Sequence, residues 1–530
     1  MLSNSDSQAS FFDTSFICEG LIPTESFYRK FREIVWPLID DEMFASMYCL
    51  DNGRPPISPA LLAMATILQF HKNLSDREME RACMFDIEVK YALGLKLDER
   101  PFDHSSLGDF RKRLLESGKQ KEVFDRILQE LVDQELVGKT EIQRIDATHV
   151  IADVAIPTMV TMVKKGVREV IKPLHKRHKE THKAISKLID LSQYDRKTVN
   201  HDADGRLDME KRQSLLVDVV HDAKTVLRQV ENIEGDEILS RRVGLLKRIL
   251  QEHITEEDGR PKEKNKKDKP PDLLVSPVDP DARYGAKSVN KKFQGYKANV
   301  TETVESRFIT NITAMPGNKP DGRTMVQTVV EQEGHGLIPE KVVGDTAYGD
   351  GSYRKDLEKH GTKVVAPQRL RNTKTRAVFP KSTFQYDEEN QRLTCPAGET
   401  TSTYYWDRTK EIRMFHFHLS KCSRCKLLRQ CTRAKEKRRT VGIHAQHWQL
   451  IEAEQYNRTE QFKEDMKLRP PIEGKLSELV RYHGMRRARY RGINKLGLQL
   501  YFTAAAVNLK RWIKLEMNKM KPKPPELAIA

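Results

Sequence analysis

Three acidic residues in this chain stand where a carboxylate could reach a metal ion. Asp345 closes the short apolar run of VVGDTAYGDGSY, where a strand should end and a loop with two glycines begins. Asp146 lies within or at the end of the strand-like run EIQRIDATHVIADVAI, and Glu473 falls in the first turn of a helix introduced by Pro470 and Pro471. If the two aspartate strands are neighbours and the late helix crosses their ends, the three side chains can converge. Three carboxylates in one place repel unless cations neutralise them, and hard oxygen donors with room for water and phosphate suit Mg2+ or Mn2+. Taken singly, each acid also reads as a helix cap or loop residue.

Sulfur supplies a second donor set. Cys422, Cys425 and Cys431 in KCSRCKLLRQC sit close together, and Cys395 in LTCPAGE is the natural fourth. Four thiolates would complete a tetrahedral structural zinc site with no open position. His416 or His418 could replace one ligand, and reduced, metal-free thiols are the plain alternative. Cys18, Cys49 and Cys83 are scattered and expected to be ordinary buried residues. Seven cysteines make an odd count, which argues against a complete disulfide framework.

The elements that must position these groups follow from periodicity and turn chemistry. After a tail (1–26), residues 27–138 read as a helical domain, with PPISPALLAMATILQF opening one helix, a Ser75–Glu78 capping box opening the next, and a further start at Ser105 or Ser106. This spacing suits either a helix-turn-helix DNA reader or plain helical packing. Residues 139–162 begin a sheet-based core. Residues 163–258 are a charged helical insertion in which Leu216, Val219, Ala223, Val226 and Val230 share one face. A linker (259–275) follows, its GRPKEKNKKDKPP too charged and proline-rich to pack. The core resumes over 276–378 with FQGYKANVTET and SRFITNITAM as antiparallel neighbours, then a helix capped by Asp321 and closed at Gly334. Residues 379–447 form a small cysteine-rich β insertion, 448–517 complete the core, and 518–530 are a tail.

Lys and Arg number 92 against 76 Asp and Glu, a formal charge of +16 that points to a polyanionic partner such as nucleic acid. A generally soluble basic protein is the bland alternative. The clearest basic track is RYHGMRRARYRGINK, where Arg481, Arg486, Arg487, Arg489 and Arg491 could contact phosphates, with Tyr482 and Tyr490 interleaved. Arg424 to Arg439 is a second candidate. No apolar run is long enough to span a membrane, and the N-terminus lacks a basic-then-apolar signal, so a cytoplasmic location is expected.

DATHV, GDTAYGD and RPPIEGKLSELVRYHGMRRARYRG together resemble the three acidic motifs of the DDE transposases of bacterial insertion sequences. NLSDREMERA, PFDHSSLGDFRKRL, SPVDPDARYGAK and YFTAAAVNLKRW extend the resemblance over most of the chain, in an order similar to the insertion sequence 1182 branch. The resemblance implies an α/β fold: a ribonuclease H-like mixed-sheet core with an N-terminal helical domain and two insertions. It also implies that Asp146, Asp345 and Glu473 hold two divalent ions, and that Arg469, four positions before the glutamate, contacts a phosphate near the cut. Met466 stands where many relatives carry tyrosine, and Val480 where they carry lysine. The partners implied are double-stranded DNA, as terminal inverted repeats and target, and further copies of the chain in the DNA complex, placed at the bacterial nucleoid. A DDE-type nuclease without strand transfer and a non-catalytic DNA-binding descendant of a transposase are the competing readings.

Overall fold

The computed structural model describes residues 11–48, 56–154, 158–194, 209–288, 290–368, 379–409 and 411–519. Cys49 and both extreme tails lie outside these residues.

Seven helices come first: α1 (Thr14–Ile17), α2 (Phe27–Val35), α3 (Pro59–Lys72), α4 (Asp76–Phe85), α5 (Ile87–Leu93), α6 (His104–Glu116) and α7 (Glu122–Asp133). Side chains fix their ends. Ser58 caps α3 ahead of Pro59, Ser75 and Glu78 form the reciprocal capping box of α4, and Asp86 caps α5. Asp103, not Ser105 or Ser106, caps α6, because a charged acceptor at the helix N-terminus also meets the macrodipole. Residues 11–26, expected as tail, pack instead: Cys18 and Ile22 are buried with Tyr91, and Phe12 accepts the Leu97 N–H.

Strand β1 (Gln143–Ile151) opens the sheet, and the helical insertion follows as α8 (Met159–Arg177), α9 (Lys179–Leu188), α10 (Met209–Val230) and α11 (Glu237–His253). The five apolar residues expected on one face of α10 are all buried, in a core of the insertion that Ile254 and Leu274 complete. The segment expected as a solvated linker carries a hairpin, β2 (Ile254–Glu257) and β3 (Arg260–Glu263). Its turn is Asp258–Gly259, both at positive φ, the pairing a tight two-residue hairpin turn requires. Asp272 then ties the segment down through Arg283, Asn318 and Arg248, and the Arg283 hydrogen bond leads the interactions that lower its carboxyl to about 2.

The core sheet is completed by β4 (Arg283–Ala286), β5 (Lys292–Thr303), β6 (Ile309–Pro316), β7 (Lys341–Val343) and β8 (Lys363–Val365), with α12 (Met325–Glu333) and α13 (Gly351–Lys359) between the later strands. Its order is β4-β5-β1-β7-β8, with β6 also on β5. Strand β5 runs antiparallel to β1 and β6, whereas β7 is parallel to β1 and β8. An antiparallel succession β1-β5-β6 on one side of the central strand and the parallel strands β7 and β8 on the other are compatible with a ribonuclease H-like DDE core. Gly295 sits at φ 142, where a Cβ would lie 2.3 Å from the Val150 carbonyl oxygen, so this crossing of β1 and β5 requires glycine.

The cysteine-bearing module holds two three-stranded antiparallel sheets, β9 (Gln385–Asp387) with β10 (Arg392–Thr394) and β11 (Thr400–Thr401), and β12 (Tyr404–Asp407) with β13 (Ile412–His416) and β14 (Thr440–His444). Short helices α14 (Leu419–Ser423) and α15 (Leu428–Cys431) separate its last two strands. The chain continues through α16 (His447–Tyr456), α17 (Glu460–Lys467), α18 (Ile472–Arg481) and α19 (Ile493–Lys519).

Helix α19 is apolar on nearly every side and lies between the N-terminal helices and the sheet. Phe31, Leu68 and Ile127 therefore share one continuous core with Val300, Ile312, Leu500 and Val507. The opposite face of the sheet has its own cluster, Ile145 and Val342 against Met325, Val329 and Tyr348. No described helix is long and apolar enough to cross a membrane.

Candidate active site

The two aspartates are placed by strand register. Gln143 pairs with Val342 and Arg144 with Val343, so Asp146 and Asp345, each three residues further on, reach the same level of neighbouring parallel strands. Strands are roughly 5 Å apart, which makes the two carboxylates neighbours. One oxygen of Asp345 accepts the Ala347 N–H at 2.8 Å and so caps a single 3-10 turn, Thr346–Tyr348. Asp345 is thus a cap as well as a candidate ligand. Gly349 and Gly351 do not clear space for a ligand: a Cβ on the first would meet the Pro367 carbonyl oxygen at 2.8 Å, and on the second the Gln446 Cβ at 2.9 Å. They let the loop pack against β8 and α16.

Asp146 is half-buried on β1. One of its oxygens accepts the Ala147 N–H at 2.8 Å, and the other holds Arg469 Nη2 at 2.9 Å. Burial pushes its carboxyl up to about 6; the Ala147 N–H and the Arg469 guanidinium pull it down, while Asp345 and Asp321 add repulsion. Asp321 is the acid that the sequence did not reveal. Read as the cap of α12, it instead opens a 3-10 turn before that helix and takes Lys297 Nζ at 2.6 Å. The floor beneath is Tyr348, fully buried, whose hydroxyl donates to Asn299 Oδ1 at 3.0 Å. Burial first, then the three aspartates, keep that phenol protonated.

Glu473 enters from α18 and is the open side of the cluster. Its side chain is 71% exposed, and its nearest charged neighbour is Arg469 Nη1 at 3.7 Å. Arg469 therefore forks between Asp146 and Glu473, with its buried Nε left without a hydrogen-bond partner. The base of α18 is fixed more firmly than its acid. Lys475, 5% exposed, lies 3.5 Å from the fully buried Glu302, which also receives Arg144 Nε at 2.8 Å, while Arg144 donates to the Leu468 carbonyl. Arg144 precedes Asp146 by two residues and Lys475 follows Glu473 by two. This buried cluster thus joins the two elements that carry the acids.

The donor set is all carboxylate oxygen, so a hard divalent cation suits it better than a soft one. The three acids are not drawn tight. Among the described residues the one set of three His, Cys, Asp or Glu ligand atoms mutually within 4.8 Å is Glu80, Asp103 and His104, where Asp103 caps α6 and Glu80 accepts the His104 N–H.

The basic track divides into exposed and committed residues. Arg481 and Arg487 are exposed. Arg486 donates to Thr148 Oγ1 and to the His149 carbonyl, and Arg491 to the Asp153 carbonyl. Arg489, expected on DNA, is spent on the junction with the N-terminal helices: it donates to the Leu74 carbonyl and Asn73 Oδ1 and lies over the Phe70 ring. Tyr490 packs under Arg111, whereas Tyr482 is 68% exposed. In the second basic run, Arg439 also turns inward, to the Cys431 and Phe379 carbonyls.

No curated protein and no solved structure matches the chain. Residues 16–113, which cover most of the N-terminal helices, match a family model described as Transposase domain (DUF772). Residues 394–513, which include Arg469 and Glu473 but neither aspartate, match one described as Transposase DDE domain, and the two matches support a transposase of the DDE type.

Proposed function

We propose that the chain is a DNA transposase that cuts and joins the ends of a mobile element at Asp146, Asp345 and Glu473, which would hold two Mg2+ or Mn2+ ions. The observation that carries this reading is the level placement of Asp146 and Asp345 on adjacent parallel strands, with Arg469 linking Asp146 to Glu473. Bound there, the ions would activate the attacking oxygen and stabilise the departing one of a phosphodiester. Asp146 must lose its proton to act as a ligand, and it exchanges Arg469 for that role. The freed guanidinium, with its unpartnered Nε, is then the donor for a phosphate oxygen beside the cut. Glu473 closes the site by a side-chain rotation from a helix that Lys475 holds in place. Water attacks first and frees a 3′-hydroxyl at the element's end; that hydroxyl then attacks target DNA, with no covalent enzyme intermediate. Arg481 and Arg487 supply backbone contacts, and paired copies of the chain handle the two ends.

The test uses duplexes bearing the element's own ends, with Mg2+ or Mn2+. Asp146→Asn is expected to bind DNA as wild type does and to cut none of it. Substantial residual cleavage would remove Asp146 from the site. A pre-cut 3′-hydroxyl end offered with target DNA should yield joined product; cleavage without joining would make the protein a nuclease.

A further inference from the structure

We infer that Cys395, Cys422, Cys425 and Cys431 bind one zinc ion, and that this ion is the internal staple of the module from Phe379 to His444. The inference is independent of the transposase reading. Cys422, Cys425 and Cys431, on α14 and α15 and the turn between them, and the sequence-distant Cys395, just after β10, all line one cavity of about 370 Å3. None is in a disulfide, and all are half-buried.

Each arm is shaped as a ligand turn. In Cys395-Pro-Ala-Gly398, Gly398 at φ 82 donates its N–H to the Cys395 carbonyl at 2.9 Å, while the Cys395 N–H is held by the Glu399 carbonyl. In the facing arm the Cys425 N–H reaches the Cys422 carbonyl at 3.1 Å, and the Leu427 N–H donates to Cys425 Sγ at 3.4 Å. His418 is an unsuitable substitute ligand because its Nδ1 accepts the Ser420 N–H as the cap of α14.

The module also needs such an ion. Its buried apolar residues are Phe384, Leu393, Ile412, Phe415, Phe417, Val441 and Ile443, too few to stabilise two small sheets by themselves. No three of the sulfurs lie mutually within 4.8 Å, whereas Zn–S bonds of about 2.3 Å in a tetrahedron bring sulfurs to about 3.8 Å. The two arms therefore close on the ion. The net double negative charge of a four-thiolate zinc centre is offset by Lys421, Arg424, Lys426 and Arg429 on the same arm. The stapled module in turn reaches the aspartate loop: β14 leads into α16, whose Leu450 packs where a Gly351 side chain would be and accepts Gln368 Nε2 through its carbonyl.

The experiment measures metal in the purified full chain by mass spectrometry, then replaces it with Co2+ and records the thiolate-to-cobalt charge-transfer absorption. About one zinc per chain and a four-sulfur cobalt spectrum are expected. Cys422→Ser with Cys425→Ser should lose both, whereas Cys18→Ser with Cys83→Ser, and separately His416→Ala, should keep both. Wild-type protein without zinc and without cobalt–thiolate absorption overturns the proposal, as does metal retained by the Cys422→Ser, Cys425→Ser chain. Metal lost by His416→Ala but kept by Cys395→Ser overturns the ligand set.

Discussion

Glu302→Gln is the sharpest probe of how the helix carrying Glu473 is held. Glu302 is fully buried on β5 opposite Arg144, with Arg144 Nε at 2.8 Å, Lys475 Nζ at 3.5 Å and Arg307 Nε at 3.6 Å. The amide keeps the shape and removes the one anion that two buried cations share. Breaking a buried ion pair from one side costs about 3–5 kcal/mol. Lys475 retains Glu478 at 3.7 Å and Arg144 retains the Leu468 carbonyl, which places the loss near the lower end, about 3 kcal/mol. Urea unfolding reads the total, and hydrogen exchange over α18 shows where it falls. Cleavage at saturating DNA should drop by an order of magnitude or more, because the linked strand β1 and helix α18 both shift their acids, while DNA affinity changes little. Adding Lys475→Met should restore part of the stability by removing a stranded cation. A Glu302→Gln protein that unfolds, exchanges and cuts as wild type does would refute the idea that this cluster positions α18.

Three further outcomes follow from the same geometry. Asp345→Asn keeps an acceptor for the Ala347 N–H and should leave stability nearly unchanged, whereas Asp345→Ala should lose about 1 kcal/mol with the cap; both should abolish cleavage, and an Asn protein that cuts would leave Asp345 a cap alone. Arg487→Ala should weaken DNA binding and reduce the salt dependence by about one counterion without affecting stability, while Arg489→Ala should lower the melting temperature; filter binding across a salt series separates them. His71 is stacked on Phe27 and faces His483, Lys510 and Lys72; burial, then these basic neighbours, lower it from 6.5 to about 4. The unfolded chain therefore binds the extra proton, and stability that is full above pH 6.5 is lost as pH falls toward 4. The loss should reach roughly 2 kcal/mol at pH 5, and His71→Gln should flatten that slope in denaturation curves.

Much of the site was legible because its signals are local. An apolar run ended by Asp345, a proline pair ahead of Glu473 and a strand holding Asp146 each mark an element boundary, and alternation made β5 and β6 a pair. What escaped depends on contacts distant in sequence. Asp321 looks like any helix cap until β5 brings Lys297 beside it. Arg489 is indistinguishable by composition from Arg487, and only the docking of Asn73 and Leu74 spends one and leaves the other exposed. The hairpin at Asp258–Gly259 differs: its Asp-Gly turn signal is present in the sequence, but the surrounding lysines and prolines have the composition of a solvated linker. Charge reports on solvent exposure, and a two-stranded ribbon can pair its backbone while every side chain remains wet.

The position of α19 also sets the order in which a newly made chain can become complete. Fifteen of its residues are buried, against helices synthesised more than 350 residues earlier and against the sheet. Until the ribosome has released that segment, Leu68, Phe70 and Ile312 have no cover, and the chain from the first helix onward waits with an apolar surface open. A chain interrupted before Ile493 should therefore be recovered as an aggregate.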